Sequence, residues 1–498
     1  VKQQQIRKSR SIQEQIADIV GKGDKWLPHS CTEPKTHKIG KPKGTHGGGR
    51  PRPLKIHGVI DLHVHSCSCG ADLKDVPEFF VYSSIITELY REQEDEQDYQ
   101  CLKLKNMDLR HVRKQCPNCG RWNYPRLGLL KNARFGLGLV TYVMSKRIET
   151  GLPYKRLIRD LIKQFGPLFS LSAPSIIDWF LKFEDQLKDM YNQLAALVKR
   201  GEFMGIDESG LPMNGENWWI WILCSANITF YQISASRGHQ SVEGILEGFK
   251  GTIISDFFRA YDKLDQEHQK CLAHLLSAII ELMVGLKKEN KRIENSIATH
   301  ENALAKEQAA KDAETKKKRG RPPKEQKLSR NELELLQQRK ETTLKTLNQA
   351  GRLCAFFRRP FQETTMGWKT RQTERMTADE AQEQLTQLIR TLREEGITDS
   401  TLETLIKRCE KYQSELFTYL KHEGMPPDNN QSERGLRHYA CQRKVSGGFK
   451  SPKLMEHYVV YLSLYMTCQA NGKDFDRLLA LLMSEKRVDL EQFLFSVT

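Results

Sequence analysis

The sequence predicts an α/β fold, in which a mixed sheet flanked by helices is interrupted by a large helical insertion. Three short segments, dense in aromatic and β-branched residues and separated by turn residues, predict three strands: FMGID, NWWIWILCS and NITFYQISA. Residues 239–249 then fit a helix, and GTIIS fits a fourth, buried strand. From 272 to 352 the pattern is helical and strongly charged, which predicts the insertion.

Size and composition limit the class of protein. The chain has 498 residues, which is too long for one hydrophobic core. No apolar run approaches the roughly 18 residues of a membrane span, and the N-terminus lacks the apolar core of a secretory signal. We therefore expect a soluble, cytoplasmic protein with no membrane partner. The net charge of +16 favours a polyanionic partner, because Lys and Arg release counterions when they neutralise phosphates.

Two cysteine clusters predict a small zinc module. Cys116 and Cys119 lie in CPNCG, a zinc-knuckle half-site whose two thiolates can reach one tetrahedral Zn²⁺. The other half, HVHSCSCG, is irregular, because a single residue separates Cys67 from Cys69. Cys69 is the safer third ligand, and either Cys67 or His65 supplies the fourth. We take the four cysteines as the predicted set, with four free thiols as the alternative, and expect a partly helical stretch between the clusters.

Residues 128–200 predict several helices. Leu157, Leu161 and Phe165 recur at four-residue intervals, as on one face of a helix. Pro174, in SAPSIIDWF, stands where a further helix could begin. The alternatives for this region are a helix-turn-helix and an ordinary helical packing unit.

The insertion predicts a helical hairpin with a basic loop at its tip. The expected seam residues are Leu286, Ile293, Ile297 and Leu304 on the outgoing limb and Leu333, Leu336, Leu344 and Leu347 on the return limb. Between the limbs, KKKRGRPPKEQK cannot continue a helix through its Gly and Pro residues. Arg319 and Arg321 of this tip, residues 316–324, resemble an AT-hook, whose Arg-Gly-Arg core lies in the minor groove of A·T-rich DNA. The alternative is a solvated basic loop.

Three carboxylates follow the predicted elements in an order that fits metal-dependent phosphodiester chemistry. Asp207 ends the first predicted strand, Asp256 follows the fourth, and Glu433 lies in what resembles the first turn of a helix. Such chemistry uses two divalent cations about 3.5 to 4 Å apart, which require oxygen ligands. Taken singly, each residue has an alternative explanation: the two aspartates as turn residues, and Glu433 as part of a capping box begun by Asn430.

The chain also carries, in this order, FMGIDESG, WIWI, SASRGHQS, GTIISDFFRAYDKL followed by CLAH, and DNNQSERGLRHYACQRKVSGGFKS. These segments resemble the insertion-sequence 66 family of bacterial transposases, and the last of them is the most specific. The resemblance implies an Asp-Asp-Glu metal site on Asp207, Asp256 and Glu433. Further positions that match the family pattern are Glu208, Tyr261, Cys271, His274, Asp428, Asn429, Asn430, Arg434 and Arg437. The family pattern has a paired CxxCG in the cysteine module, from which this sequence departs.

The resemblance and the carboxylate order together predict a magnesium- or manganese-dependent DNA strand-transfer enzyme with a ribonuclease-H-like core. Its expected partners are double-stranded DNA, as terminal inverted repeats and target, and further copies of the chain in a homodimer or higher oligomer. Small element-encoded accessory proteins and a nucleoid location in a prokaryote are implied by the resemblance alone. The residues expected to contact DNA phosphates are Arg434, Arg437, Arg443 and Lys444, together with Arg319 and Arg321 at the tip. Alternatives are a catalytically inactive transposase-derived DNA-binding protein and a structure-selective nuclease on the same fold.

These predictions divide the chain into six regions. The expected regions are a basic flexible arm (1–60), a zinc module (61–127), a helical DNA-binding or dimerisation region (128–200), the first part of the catalytic core (201–271), the helical insertion (272–424), and the second part of the core with the C-terminal helices (425–498).

Overall fold

The computed structural model describes residues 55–93, 100–125, 134–167, 169–314, 326–367, 376–484 and 488–496. The chain clusters into two compact units. Unit 1 holds the chain up to Gly201, then Asp207–Phe249 and Ser432–Thr498, and unit 2 holds Glu202–Ile206 and Lys250–Gln431. The predicted basic arm up to residue 54 and the AT-hook-like tip, with Arg319 and Arg321, lie outside the described residues.

The cysteine clusters of unit 1 are connected by a sheet. Its strands are β1 (Gly58–Leu62), β2 (Phe79–Gln93), β3 (Gln100–Gln115) and β4 (Trp122–Asn123). They follow the order β1-β3-β2, with β4 also paired to β3. The expected partly helical stretch between the clusters is therefore wrong. Its sequence, FFVYSSIIT, is rich in the aromatic and β-branched residues that fit a pleated surface.

Four helices follow in unit 1, as the sequence predicts. They are α1 (Leu137–Thr150), α2 (Tyr154–Phe165), α3 (Ala173–Leu181) and α4 (Glu184–Val198). Leu157 and Leu161 of α2 are fully buried. Helix α3 begins after Ser172, whose hydroxyl accepts a hydrogen bond from the Ser175 amide, and Pro174 lies in its first turn.

The central sheet follows the predicted order of three strands, a helix and a strand, and then adds a fifth, short strand that the sequence did not predict. Its elements are β5 (Phe203–Met213), β6 (Glu216–Cys224), β7 (Thr229–Ser234), α5 (His239–Leu246), β8 (Thr252–Ser255) and β9 (His268–Lys270). The strand order is β7-β6-β5-β8-β9. The sheet is mixed, because β6 and β7 are antiparallel whereas β8 is parallel to both β5 and β9.

Strand β5 continues well beyond Asp207, so the expectation that Asp207 ends this strand is wrong. The strand ends instead at a two-residue turn, Asn214-Gly215, which joins it to β6. Both turn residues have positive φ, 48° and 84°. These values suit a type I′ hairpin, which matches the twist of the strands that it connects.

Unit 2 consists mainly of long helices, in agreement with the predicted insertion. They are α6 (Leu272–Glu314), α7 (Gln326–Gly367), α8 (Ala378–Glu394) and α9 (Ser400–Lys411). Their common core includes Leu275, Leu353 and Phe357.

The predicted seam of the α6–α7 pair is only partly correct. Ile293 is buried, at 3% exposure, but Leu344 is 42% exposed. Thr343 and Thr346 are buried in its place. The buried residues of α7 recur at intervals of three and four residues, and this series includes Thr343 and Thr346 but not Leu344. Two polar threonines therefore occupy buried positions that the leucine pattern did not indicate.

The C-terminal helices of the chain are α10 (Asn430–Ser446), α11 (Pro452–Ala470), α12 (Phe475–Met483) and α13 (Leu490–Phe495). Within unit 1, α11 lies against β7. The Tyr231 amide donates to Ser463 Oγ at 3.0 Å, and the Thr229 amide donates to Thr467 Oγ1 at 3.1 Å. None of the helices in the described ranges has both the length and the apolarity to cross a membrane.

Candidate active site and cysteine cluster

The four predicted cysteines come together in unit 1. The Sγ atoms of Cys67 and Cys119 are 3.6 Å apart, as are those of Cys69 and Cys116. All four sulfur atoms lie within 4.8 Å of one another. His65, the alternative fourth ligand, is not part of this group, so the structure favours Cys67.

Each half of the cluster is shaped by a tight turn. The Gly70 amide donates to the Cys67 carbonyl, and the Gly120 amide donates to the Cys116 carbonyl, both at 2.9 Å. Both glycines have positive φ, 88° and 71°, a conformation that L side chains rarely adopt. Each half is therefore closed by a glycine turn, which spans three residues from Cys67 to Gly70 and four from Cys116 to Gly120.

The thiols of the cluster influence each other's protonation. The pKa of Cys67 is lowered to about 6, chiefly by a hydrogen bond from the backbone of Cys69. The pKa of Cys69 is raised to about 11: the backbone amide of Ala71 lowers it, but the neighbouring thiols outweigh that amide. At neutral pH the cluster thus holds a thiolate, which is the metal-binding form of cysteine.

Asp207 lies half-buried in β5, within unit 1. Its Oδ1 accepts a hydrogen bond from the Glu208 amide at 2.8 Å. The carboxylate of Glu208 is only 1% exposed and accepts from Arg237 Nε at 2.7 Å. The Arg237 guanidinium also lies 4.9 Å from the centre of the Trp219 ring. Sequence reasoning did not single out Arg237, although it stands in the family-like SASRGHQS segment.

Asp256 directly follows β8 in unit 2. Its Oδ1 accepts from the Phe258 amide at 2.8 Å, which fixes the carboxylate over the following turn. The pairing of β5 with β8 aligns Gly205 with Ile254. Each of these residues stands two positions before one of the predicted aspartates.

Asn429 fixes the segment that leads into α10. It is 2% exposed, and its Nδ2 donates to the Ile206 carbonyl at 2.7 Å. Its backbone amide lies 3.2 Å from Cys271 Sγ, and the Leu272 amide donates to the Pro427 carbonyl at 3.0 Å. Burial raises the pKa of the Cys271 thiol to about 11. Within unit 2, the DNN segment is thus held against both the end of Glu202–Ile206 and the start of α6.

Helix α10 carries Glu433, half-buried in its first turn, as predicted. Gly435 lies so close to β6 that an added Cβ would meet Ile222 Cδ1 at 2.2 Å. Its carbonyl accepts from the Tyr231 hydroxyl at 2.9 Å. These contacts hold α10 against the unit 1 strands.

Cys224 lies at the end of β6, and neighbouring residues shift the pKa of its thiol. Burial raises the pKa of its thiol to about 12; the hydroxyl of Ser432 lowers this pKa and the charge of Asp207 raises it. The thiol is therefore near both Asp207 and the residue that precedes Glu433.

The predicted phosphate-binding residues differ in their surroundings. Arg434, Arg437 and Lys444 are exposed on α10. Arg443 is half-buried, and its guanidinium donates to the Gly210 carbonyl and, at 3.3 Å, to Ser209 Oγ. Arg443 therefore ties α10 to β5, a role that the basic pattern alone did not reveal.

The comparisons with known proteins give one result. The model of a family described as Transposase IS66 family matches residues 132–366 and 357–457. The two matched segments include β5, β8 and all of α10, with all three predicted carboxylates. Among curated proteins, none matches the chain.

Proposed function

Since the chain belongs to the transposase IS66 family, we propose that it is a DNA strand-transfer enzyme with a ribonuclease-H-like core. It binds the terminal inverted repeats of its own element, cleaves a phosphodiester at each end, and joins each freed 3′-hydroxyl to target DNA. Because two ends must be held together, it acts as a homodimer or higher oligomer on the nucleoid DNA of a prokaryote, with small accessory proteins of the same element where these are present.

The register of β5 with β8 is the observation that carries this proposal. Gly205 is aligned with Ile254, and the aspartates Asp207 and Asp256 each follow two residues later. Alternate residues of a strand share a face, and aligned residues of paired strands lie side by side. Within unit 2, this register aligns the segments that lead into the two aspartates. The bond from Asn429 to the Ile206 carbonyl, also within unit 2, fixes the segment that leads into the helix of Glu433.

The donor set fits a hard divalent cation such as Mg²⁺ or Mn²⁺, because all three proposed ligands are carboxylates. When bound, a pair of such ions would activate the attacking oxygen and stabilise the leaving oxygen. The chain's own contribution is orientation. The Phe258 amide fixes the Asp256 carboxylate, and the contacts of Gly435 with β6 and Tyr231 fix the helix that carries Glu433.

Basic residues of α10 are proposed to hold the DNA backbone. Arg434, Arg437 and Lys444 are exposed, and Arg presents a fork that matches two phosphate oxygens. Arg443 is proposed to contribute as well, although its bond to Gly210 already gives it a structural role. Arg319 and Arg321 of the insertion tip are proposed to add contacts in the minor groove.

We further propose that the four-cysteine cluster binds Zn²⁺. Thiolates around a tetrahedral zinc with Zn–S bonds of about 2.3 Å are roughly 3.8 Å apart. The observed separations of 3.6 Å are close to this value. The ion would stabilise the two turns, one after β1 and one between β3 and β4, and would take no part in catalysis.

Incubation with labelled element ends, Mg²⁺ and plasmid target tests the proposal. Wild-type protein should give nicked ends and joined products, and Asp207→Ala should give neither. Asp265→Ala, which removes an exposed acid from the same region, is the matched control and should behave as wild type. Cleavage without joining would identify a structure-selective nuclease, and DNA binding without any product would identify an inactive DNA-binding protein.

A further inference from the structure

Helix α2 is divided into an apolar face and a basic face. Leu157 and Leu161 are fully buried. Its basic residues, Lys155, Arg156, Arg159 and Lys163, are all exposed. At about 100° of rotation per residue these four fall within an arc of about 100°, on the side opposite the two leucines.

The positive charge of this face is not neutralised locally. The helix has one acidic residue, Asp160, whose carboxylate forms an ion pair with Lys146 of α1 at 3.1 Å. In the part of the chain that the structure describes, no ion pair involves any of the four basic residues.

The exposed basic residues of α6 are not arranged in this way. In α6, Lys287, Lys288, Lys291 and Arg292 are also exposed, but acidic residues alternate with them. Glu289 lies 4.0 Å from Arg292 and 2.7 Å from Arg339 of α7. The basic face of α2 is therefore a concentrated positive surface, whereas the α6–α7 pair has mixed charge.

Helix α2 starts beside α10. At the end of α1, the Ile148 carbonyl lies 2.7 Å from His438 Nε2 of α10. Gly151, with φ 62°, is so close to α10 that an added Cβ would be 2.9 Å from Gln442 Cβ. Only two residues separate Gly151 from Tyr154, where α2 begins. The end of α1 and Gly151 thus contact α10 within unit 1, immediately before α2 begins.

The exposed basic residues of α10 lie between this contact and Glu433. Around the helix axis, Arg434 and Arg437 fall between the side that meets α1 and the side that carries Glu433. Lys444 falls on the same exposed arc near the C-terminal end of α10.

We propose that the basic face of α2, formed by Lys155, Arg156, Arg159 and Lys163, is a binding surface for the phosphate backbone of double-stranded DNA. The proposal rests on the proposed function and names a DNA-binding surface for it. The four side chains are distributed over about 12 Å of helix. Duplex DNA carries about one phosphate per 1.7 Å of its axis, which provides enough phosphates for all four residues.

The chemistry of the face favours duplex backbone over single-stranded DNA. Proteins that bind single strands combine basic residues with aromatic side chains on which bases stack. The aromatic residues of α2, Tyr154 and Phe165, are half-buried and lie on the apolar side of the helix. The basic face has no ring for a base to stack on, so it recognises phosphates without regard to sequence.

The test compares two variants that each lose four charges. The first, K155Q/R156Q/R159Q/K163Q, removes the basic face of α2. The matched control, K287Q/K288Q/K291Q/R292Q, removes four exposed charges from α6. Affinity for a labelled element-end duplex is measured by fluorescence anisotropy between about 50 and 200 mM salt, without Mg²⁺.

For the α2 variant, the slope of log affinity against log salt should fall by about 0.9 for each phosphate that the variant no longer neutralises, hence by roughly 3 to 4. Its affinity at about 100 mM salt should fall by at least about tenfold. The α6 control should keep the wild-type slope, and K155R/K163R, which preserves the charge, should keep it too. Circular dichroism and thermal unfolding confirm that each variant is folded.

An α2 variant with wild-type slope and affinity would overturn the proposal, and so would an equal loss in the α6 control. The proposal would also be contradicted if the α2 substitutions weakened binding of a single-stranded oligonucleotide more than binding of the duplex. Failure here is separable from failure of the proposed function: wild type that cleaves and joins while the α2 variant binds normally refutes only the α2 surface. If wild-type protein binds the duplex without cleaving it, and the α2 variant no longer binds, only the catalytic proposal is refuted.

Discussion

Replacing Glu456 with glutamine tests the energetics of the helix that supports the central sheet. Glu456 lies in α11 and is 6% exposed, and its Oε2 has no hydrogen-bond partner among the described residues. Burial raises the pKa of this carboxyl to about 9; the charge of Glu184 raises it further, and Lys453 opposes the rise. The folded protein therefore holds Glu456 in its neutral, protonated form at neutral pH.

This shift predicts how stability changes with pH. A carboxyl whose pKa is higher in the folded state binds its proton more tightly there, so its contribution is complete below the unfolded pKa of 4.5 and is lost as pH rises towards 9. The free energy of unfolding should fall by about 1.4 kcal/mol per pH unit in this range. At pH 7 the loss reaches an upper limit of about 3 kcal/mol.

The adjacent His457 has the opposite effect. Burial lowers the pKa of His457 to about 4 from 6.5, so its contribution is present above pH 6.5 and is lost as pH falls through this range. Between about pH 4.5 and 6.5 the two slopes cancel. Of these two slopes, only the destabilising slope of Glu456 remains above about pH 6.5, so this is the range in which the difference in stability between Glu456→Gln and wild type should grow.

Glu456→Gln should therefore be more stable than wild type at pH 8.5 and should lose the downward slope above pH 6.5. Urea unfolding followed by fluorescence of Trp179 and Trp221, both buried in unit 1, measures the difference. Glu491→Gln, which removes a more exposed carboxylate from unit 1, is the control. If Glu456→Gln keeps the wild-type slope, or is less stable at pH 8.5, the buried carboxyl does not carry the assigned proton.

Three further predictions concern the cluster and the sheet. Co²⁺-loaded wild-type protein should show thiolate charge-transfer absorption, and Cys116→Ser should lose it. Cys441→Ser, which removes an exposed cysteine outside the cluster, should retain it. Equal spectra for the two variants would rule out the cluster as the metal site. Asn429→Ala should lower strand-transfer rate by about 100-fold with DNA affinity unchanged, because misplacement of reacting groups by about 1 Å has such a cost; an unchanged rate in a transfer assay would contradict it. Gly435→Ala should lose about 1 to 3 kcal/mol of stability in urea unfolding through overpacking against Ile222, and adding Ile222→Val should restore part of the loss.

The succession of the first four strands of the central sheet along the chain could be predicted, because each strand begins with or consists of a short run rich in β-branched and aromatic residues. The end of β5 could not be predicted in the same way. After Asp207 the strand continues through ESGLPM, whose Gly and Pro are typical of turns. The Asn214-Gly215 pair was the available signal, since this dipeptide is the preferred type I′ hairpin turn.

The cysteine module shows a different limit. Its knuckle turns follow from local spacing, and the glycine after Cys69 and Cys119 marks each turn. The pairing of β2 with β3 depends on contacts between residues far apart in the sequence, such as Ser84 with Leu109. Alternation along one strand does not reveal its partner, and the local signal against a helix was the run of aromatic and β-branched residues in FFVYSSIIT.

Buried polar contacts were the least predictable part of the candidate site. Glu208 was noted as a family-pattern residue, but its burial and its bond to Arg237 depend on how the β7–α5 connection returns to the sheet. Arg443 was predicted to meet phosphate because basic residues cluster near it. Its bond to Gly210 follows from the close packing of α10 on β5, which no spacing rule specifies.

A backbone contact between the two ends of the insertion explains how unit 2 can hold it without disturbing the segment that leads into α10. The chain enters α6 at Leu272 and returns at Pro427, and these two residues are joined by a backbone hydrogen bond. Asn429 then bonds to Ile206. Because the two ends of the insertion are fixed to each other, its length adds only a slowly growing closure entropy, about 0.6 kcal/mol for each doubling. The intervening helices can therefore vary in length while the position at which the chain reaches Asn430 stays the same.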